Sequence, residues 1–157
     1  MTALPEPIAA DIGHVHLKVA DLSRSISFYE LLGMTVRNQI DGAAFLAFGG
    51  YHHHLALNSW HTEGSKPAPQ DMTGLFHFAI RYSSRQNLAR TLRKVTAAGV
   101  TIDSSSDCGG IADSIYLRDP DENGVELTWD RPRELRPVPL PADDSPLDLE
   151  ELLHEAD

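Results

Sequence analysis

HVHLKV at residues 14–19 and HFAIRY at residues 77–82 share a pattern: a leading histidine, then apolar residues at alternating positions. Short runs of this kind, rich in β-branched and aromatic residues, read as strands. The segments after the two runs also match. DLSRSISFYELLGMTV (21–36) offers Asp21 as N-cap, with Leu22, Ile26, Tyr29 and Leu31 or Leu32 at helical spacing and Gly33 as terminator. SRQNLARTLRKVTAAGVTI (84–102) offers Ser84 as cap, Leu88, Leu92 and Val95 as the apolar face, and Gly99 as terminator. Two more strand candidates then close each copy, AAFLAF (43–48) with HLALNSW (54–60), and DSIYL (113–117) with VELTWD (125–130). The chain is thus predicted to carry a βαβββ unit written twice, in the α+β class.

The repeat spans residues 10–133, the first copy about 12–60 and the second about 74–130, joined by the Pro/Gly/Ser-rich HTEGSKPAPQDMTG (61–74). Residues 134–157 form a tail. RPRELRPVPLPADD (131–144) is Pro-rich and expected to be extended. SPLDLEELLHEAD (145–157) reads as a short helix with Ser145 as N-cap, Pro146 in the first turn, and Leu149, Leu152 and Leu153 on one side. Its expected role is to dock on a surface.

Composition narrows the function classes. With 157 residues, 41% hydrophobic and 23% charged, the chain has the profile of an ordinary globular domain. A net charge of −10 with scattered Lys and Arg argues against a nucleic-acid partner. No apolar run is long enough to cross a bilayer, and MTALPEPIAADIG at the start shows no secretory pattern. The single cysteine, Cys108, fits a reducing compartment, so the expected location is cytoplasmic. A small-molecule partner is expected.

HVHLKVADLSRSISFYELLGM, YHHHLALNSW, GLFHFAI and IYLRDPDENGVELTWDRP, in that order, resemble the vicinal oxygen chelate superfamily. They are most similar to its ring-cleaving extradiol dioxygenases of the catechol 2,3-dioxygenase type. The resemblance implies two tandem βαβββ modules forming a cupped sheet around one metal site. It implies His14, His77 and Glu126 as the metal ligands, holding Fe(II), with Mn(II) accepted by the same set. Two imidazoles and one carboxylate leave adjacent coordination positions open for a catechol and O2. His16 lies two residues beyond His14 and so on the same strand face; it is the runner-up ligand, or a neighbour.

The same resemblance assigns a non-ligating acid–base histidine to the start of the first copy's last strand. Among His52, His53 and His54, family spacing selects His53, with His54 the alternative from strict strand alternation. A near-neutral pKa suits such a residue. Tyr116, ten residues before Glu126, matches a tyrosine that hydrogen-bonds the substrate. In RDPDENG (118–124), Pro120 is expected to set φ and Asn123-Gly124 to take the positive φ of a turn with a structural role. Asn58, Trp60 and His61 are candidate pocket walls.

Two departures stand out: Cys108 and Gly109 occupy the place of the family's usual histidine or asparagine, and Glu122 that of a usual glycine. Cys108 reads as an ordinary free thiol. A homodimer is expected, whether the modules pair within one chain or between two. Two other chemistries share the scaffold, metal-dependent isomerisation of the glyoxalase or epimerase kind and metal-free binding of an antibiotic. The first uses a glutamate where this chain has Ala56. The second loses the ligands that His14, His77 and Glu126 supply here.

Overall fold

A computed structural model describes residues 10–139, 141 and 143–157. Most of the amino-terminal MTALPEPIAADIG, and Leu140 and Ala142 of the Pro-rich stretch, lie outside the described residues. The elements follow the order predicted from the repeat. The first copy gives β1 (Val15–Lys18), α1 (Leu22–Leu31), β2 (Thr35–Ile40), β3 (Ala43–Ala47) and β4 (Leu55–Asn58). The second gives β5 (Phe78–Arg81), α2 (Arg85–Ala97), β6 (Ile102–Ser106), β7 (Ala112–Arg118) and β8 (Gly124–Asp130), and the tail ends in α3 (Leu149–His154).

Both long helices start where their caps say. The Asp21 carboxylate accepts from Arg24 N at 3.0 Å, and the Ser84 hydroxyl from Asn87 N at 3.1 Å. Gly33, at φ 96°, reverses the chain after α1. The strands form two four-stranded sheets, β1-β4-β3-β2 and β5-β8-β7-β6. Their internal registers coincide. Val15 pairs with Leu55 as Phe78 pairs with Val125, and Ala56 lies opposite Phe45 as Glu126 lies opposite Tyr116.

One face of each sheet packs into a shared core. Leu17, Leu46, Leu55 and Leu57 from the first sheet join Ile80, Ile115, Leu117, Val125 and Leu127 from the second, with Phe28, Tyr29, Leu88 and Leu92 from the helices. Period-two alternation puts His16, Phe45, Ala56 and Asn58 on the other face of the first sheet. It puts Ala79, Ser114, Tyr116, Glu126 and Thr128 on the equivalent face of the second.

The RDPDENG turn joins the two copies, which its sequence did not foretell. Asp121 accepts from Ala20 N (3.1 Å), Arg24 (2.8 Å) and the Ser25 hydroxyl (3.2 Å). Asp119 accepts from the buried Tyr29 hydroxyl at 2.7 Å and from its own turn, at Asp121 N and Asn123 N. Burial, with the Asp119 carboxylate next, drives the Tyr29 phenol pKa far above its ordinary value. The positive φ sits at Glu122 (65°), not at the Asn123-Gly124 pair expected from sequence. Closing the turn on Asp119 demands it there, because Glu122 N donates back to Asp119 O.

The tail helix begins later than expected. Asp148, not Ser145, is the N-cap, accepting from Glu151 N at 2.9 Å. Ser145 instead exchanges two hydrogen bonds with Asp107, just past the end of β6, each 2.8 Å. Docking is as expected: Leu152 is fully buried and Ala156 nearly so.

Candidate metal centre

β8 lies between β5 and β7, so Glu126 projects from the middle of the second sheet while Val125 and Leu127 enter the core. His77 immediately precedes β5. Its Nε2 lies 3.0 Å from Glu126 Oε2. Tyr116, directly across from Glu126 on β7, donates its hydroxyl to Glu126 Oε1 at 3.3 Å, and its ring lies 5.6 Å from that of His77. Burial, with the Glu126 charge second, pushes the Tyr116 phenol pKa well above its usual value, which keeps it a proton donor.

The first sheet carries a different set at the equivalent positions. His14, immediately before β1, packs against His53 with ring centroids 4.5 Å apart, and His53 meets the Phe45 edge at 5.2 Å. His53 Nδ1 lies 2.7 Å from His52 Nδ1. Desolvation, and then the surrounding His14, His52, His16 and His54, lower the His53 pKa. His54 is turned elsewhere, its Nδ1 accepting from Phe48 N at 3.3 Å. His16 is engaged by Asn58 at 2.8 Å. Trp60 donates to Asp41 O and meets the His16 ring edge-on at 6.2 Å, whereas His61 is exposed.

His14 and His77 line one cleft of about 760 Å³ between the sheets, with Ile12, Val15, Leu75 and Phe78. They do not meet across it. Among the described residues no three His, Cys, Asp or Glu side chains stand close enough to hold a metal ion. The donor chemistry nevertheless suits a divalent metal. Glu126 is mostly shielded, with a side-chain exposure of 14%, and among the described residues it has no Lys or Arg partner. Such a carboxylate is completed by a cation. His77 and Glu126 thus present two converging groups of the kind a divalent metal takes, and His14 stands apart from them.

Two contributors escaped the sequence reading. Phe45 backs His53, a role visible only once the register equates it with Tyr116. Cys108 is no bystander: its sulfur lies 3.9 Å from the Tyr116 hydroxyl and 3.4 Å from that of Ser114. The signal was its position, where the resembling family carries a polar substrate-facing residue.

Residues 11–127 match the sequence profile of the Glyoxalase/Bleomycin resistance protein/Dioxygenase superfamily. The chain belongs to that superfamily, also called vicinal oxygen chelate. It is 32% identical over 131 residues to a catechol-2,3-dioxygenase of Bacillus subtilis (strain 168), covering 82% of this chain and 43% of that one. This chain therefore spans less than half of that relative's length. It is 28% identical over 117 residues to glutathione transferase FosA of Serratia marcescens, covering 74% of this chain and 78% of that one. Among solved structures, a glyoxalase/dioxygenase from Nostoc punctiforme superposes with a TM-score of 0.65 at 19% identity, over 83% of this chain and 100% of that one. That likeness is one of fold. No helix among the described residues is long and apolar enough to cross a membrane.

Proposed function

We propose that this vicinal oxygen chelate protein is a cytoplasmic, Fe(II)-dependent extradiol dioxygenase that opens the ring of a catecholic substrate. His14, His77 and Glu126 are its metal ligands, and His53 and Tyr116 its substrate-facing residues. The observation that carries this reading is the asymmetry between two equivalent positions: Glu126 with Tyr116 in one sheet, Ala56 with Phe45 in the other. Ala56 supplies neither the fourth ligand nor the base of a glyoxalase-type isomerisation. A three-donor set leaves room for both catechol oxygens and O2.

When bound, Fe(II) supplies a Lewis acid for the catechol oxygens and a path for electrons from the ring to O2. The protein's own residues do the rest. Tyr116 fixes the Glu126 carboxylate by donating to Oε1. In the tautomer where His53 is the donor in its Nδ1 contact with His52, its Nε2 carries a free lone pair. There it takes a proton from the substrate hydroxyl and later returns it to the ring-opened product. Its lowered pKa keeps it unprotonated and ready to accept. Phe45 and Ala56 form the apolar wall that keeps water from this exchange.

The site is completed by a second copy. β1 and β5 are edge strands of their sheets. Apolar residues stand exposed beside each histidine, Ile12 at 89%, Leu75 at 59% and Phe76 at 83%. Unpaired edges and uncovered apolar side chains favour a partner surface. In a two-fold dimer, His14 of one copy meets His77 and Glu126 of the other.

Oxygen uptake by the Fe(II)-reconstituted protein, measured against a panel of substituted catechols, tests the activity. Uptake matched by yellow ring-opened product is expected. No uptake with any of them, despite bound iron, sinks the reading and favours the isomerase chemistry that shares the scaffold or the transferase chemistry that the likeness to glutathione transferase FosA offers. Mixing His14→Ala and Glu126→Gln proteins tests the shared site. Random exchange should restore roughly a quarter of wild-type activity, because each mixed dimer keeps one intact centre. No recovery places the whole site within one chain.

A further inference from the structure

The tail does more than end the chain. Arg131 and Arg85 clamp the fully buried Asp113 carboxylate at 2.7 and 2.6 Å, and Arg85 also bonds Glu155. Pro137 sits on Gly110 so closely that a Cβ there would lie 2.6 Å from two atoms of the proline ring. Ser145 is bonded twice to Asp107, and Leu147 N donates to Ser105 on β6 at 3.2 Å. Leu152 is fully buried in the core that α2 shares. The tail therefore straps the short loop 107–110 from above and from both ends.

That loop is unusual. Cys108, Gly109 and Gly110 all lie at positive φ, 46°, 63° and 79°. For a cysteine this conformation is unfavourable and persists only where its surroundings enforce it. What the conformation achieves is the placement of the thiol against the Tyr116 hydroxyl. The thiol donates its one proton to the Ser114 hydroxyl at 3.4 Å, and its sulfur packs 3.9 Å from the hydroxyl that Tyr116 turns toward Glu126.

We propose that the carboxyl-terminal tail is a positioning element of the metal centre: it holds the Cys108 loop in place, and Cys108 in turn holds the Tyr116 hydroxyl on Glu126. The role assigned to Tyr116 in catalysis rests on the dioxygenase reading. The chain of contacts does not. Cys108 is the only cysteine of the 157 residues, so its reaction with a disulfide reagent such as DTNB in the native protein reports on the loop without ambiguity.

The experiment compares DTNB rates in the 157-residue wild type and two tail variants. Leu152→Ser, which loosens α3, should raise the rate about tenfold by local release. Pro137→Gly, which removes the ring from Gly110 and leaves α3 docked, should raise it about threefold. The second variant keeps the test decisive if the first does not fold. Tyr116→Phe should shift the rate by about threefold through the lost thiol contact. In catechol turnover, Cys108→Ala should lower kcat about tenfold with KM unchanged, and Cys108→Ser should recover to within about twofold.

Tail variants whose thiol reacts within about twofold of wild type would overturn the strap. A rate unmoved by Tyr116→Phe, or equal kcat losses for the alanine and serine variants, would overturn the link from Cys108 to Tyr116. A wild type that turns over no catechol counts against the dioxygenase, and the thiol rates still decide the strap.

Discussion

At the register position where the second repeat carries Glu126, the first carries Ala56; where the second carries Tyr116, the first carries Phe45. Everything beneath these positions is alike, from the pairing of the strands to the alternation that buries the flanking residues. The backbone has stayed the same while the exposed face has diverged. One face became a donor cluster, His77 with Glu126 and Tyr116. The other became an aromatic and imidazole surface, His14 with His53 and Phe45. Sites thus belong to side chains grafted on a scaffold, since one scaffold here bears both.

That contrast can be broken experimentally. Its largest expected consequence is at Glu126: Glu126→Ala should lower kcat/KM about a thousandfold, some 4 kcal/mol, and strip the iron measured after desalting. A variant that retains a full complement of iron would mean that the donor face lies elsewhere. His53→Phe probes the opposite face. Loss of its proton transfer should lower kcat about a hundredfold while iron content stays at the wild-type level. Loss of iron instead would make His53 a ligand and erase the proposed division of labour.

A smaller effect is expected at the joint between the copies. Asp121→Ala leaves the Ala20 N–H and the Ser25 hydroxyl without their acceptor, and should cost about 2 kcal/mol in urea unfolding. The ion pair with the half-exposed Arg24 adds little to this. Biphasic unfolding in that variant would show that the shared core alone does not bind the copies into one cooperative unit. The smallest effect is at Phe45. Phe45→Tyr restores the hydroxyl of the other face without a carboxylate to receive it, and should change stability by less than about 0.5 kcal/mol. A marked change in iron affinity would mean that the aromatic face reaches the metal.

The periodicities of HVHLKV and HFAIRY fall on β1 and β5, and Asp21 and Ser84 cap their helices as spacing suggested. Such features are local, and short-range hydrogen bonding and side-chain alternation write them directly into the sequence. The neighbourhood of Glu126 was legible only through the family resemblance, and the strand register that carries Tyr116 across from it gives the physical reason. What stayed hidden depends on partners far away along the chain. Asp121 meets Arg24 across 97 residues and Ser145 meets Asp107 across 38, and no local pattern announces either. Ser145 and Asp148 are equally good caps, so only the docked position of the tail decides between them. The separation of His14 from His77 was beyond reach as well, for pairing of the modules depends on surfaces and not on spacing.

The joint made by Asp119 and Asp121 has a practical counterpart in the connector at residues 66–74, which is exposed throughout. Cutting the backbone there would leave two pieces still gripped by the carboxylates and by the common interior. The molecule should therefore tolerate a protease nick, an inserted reporter or expression as two complementing fragments at this point. The same operations within residues 119–123 would remove the hydrogen bonds by which Asp119 and Asp121 hold the first copy. One short acidic turn thus decides where this chain can be opened and where it must remain whole.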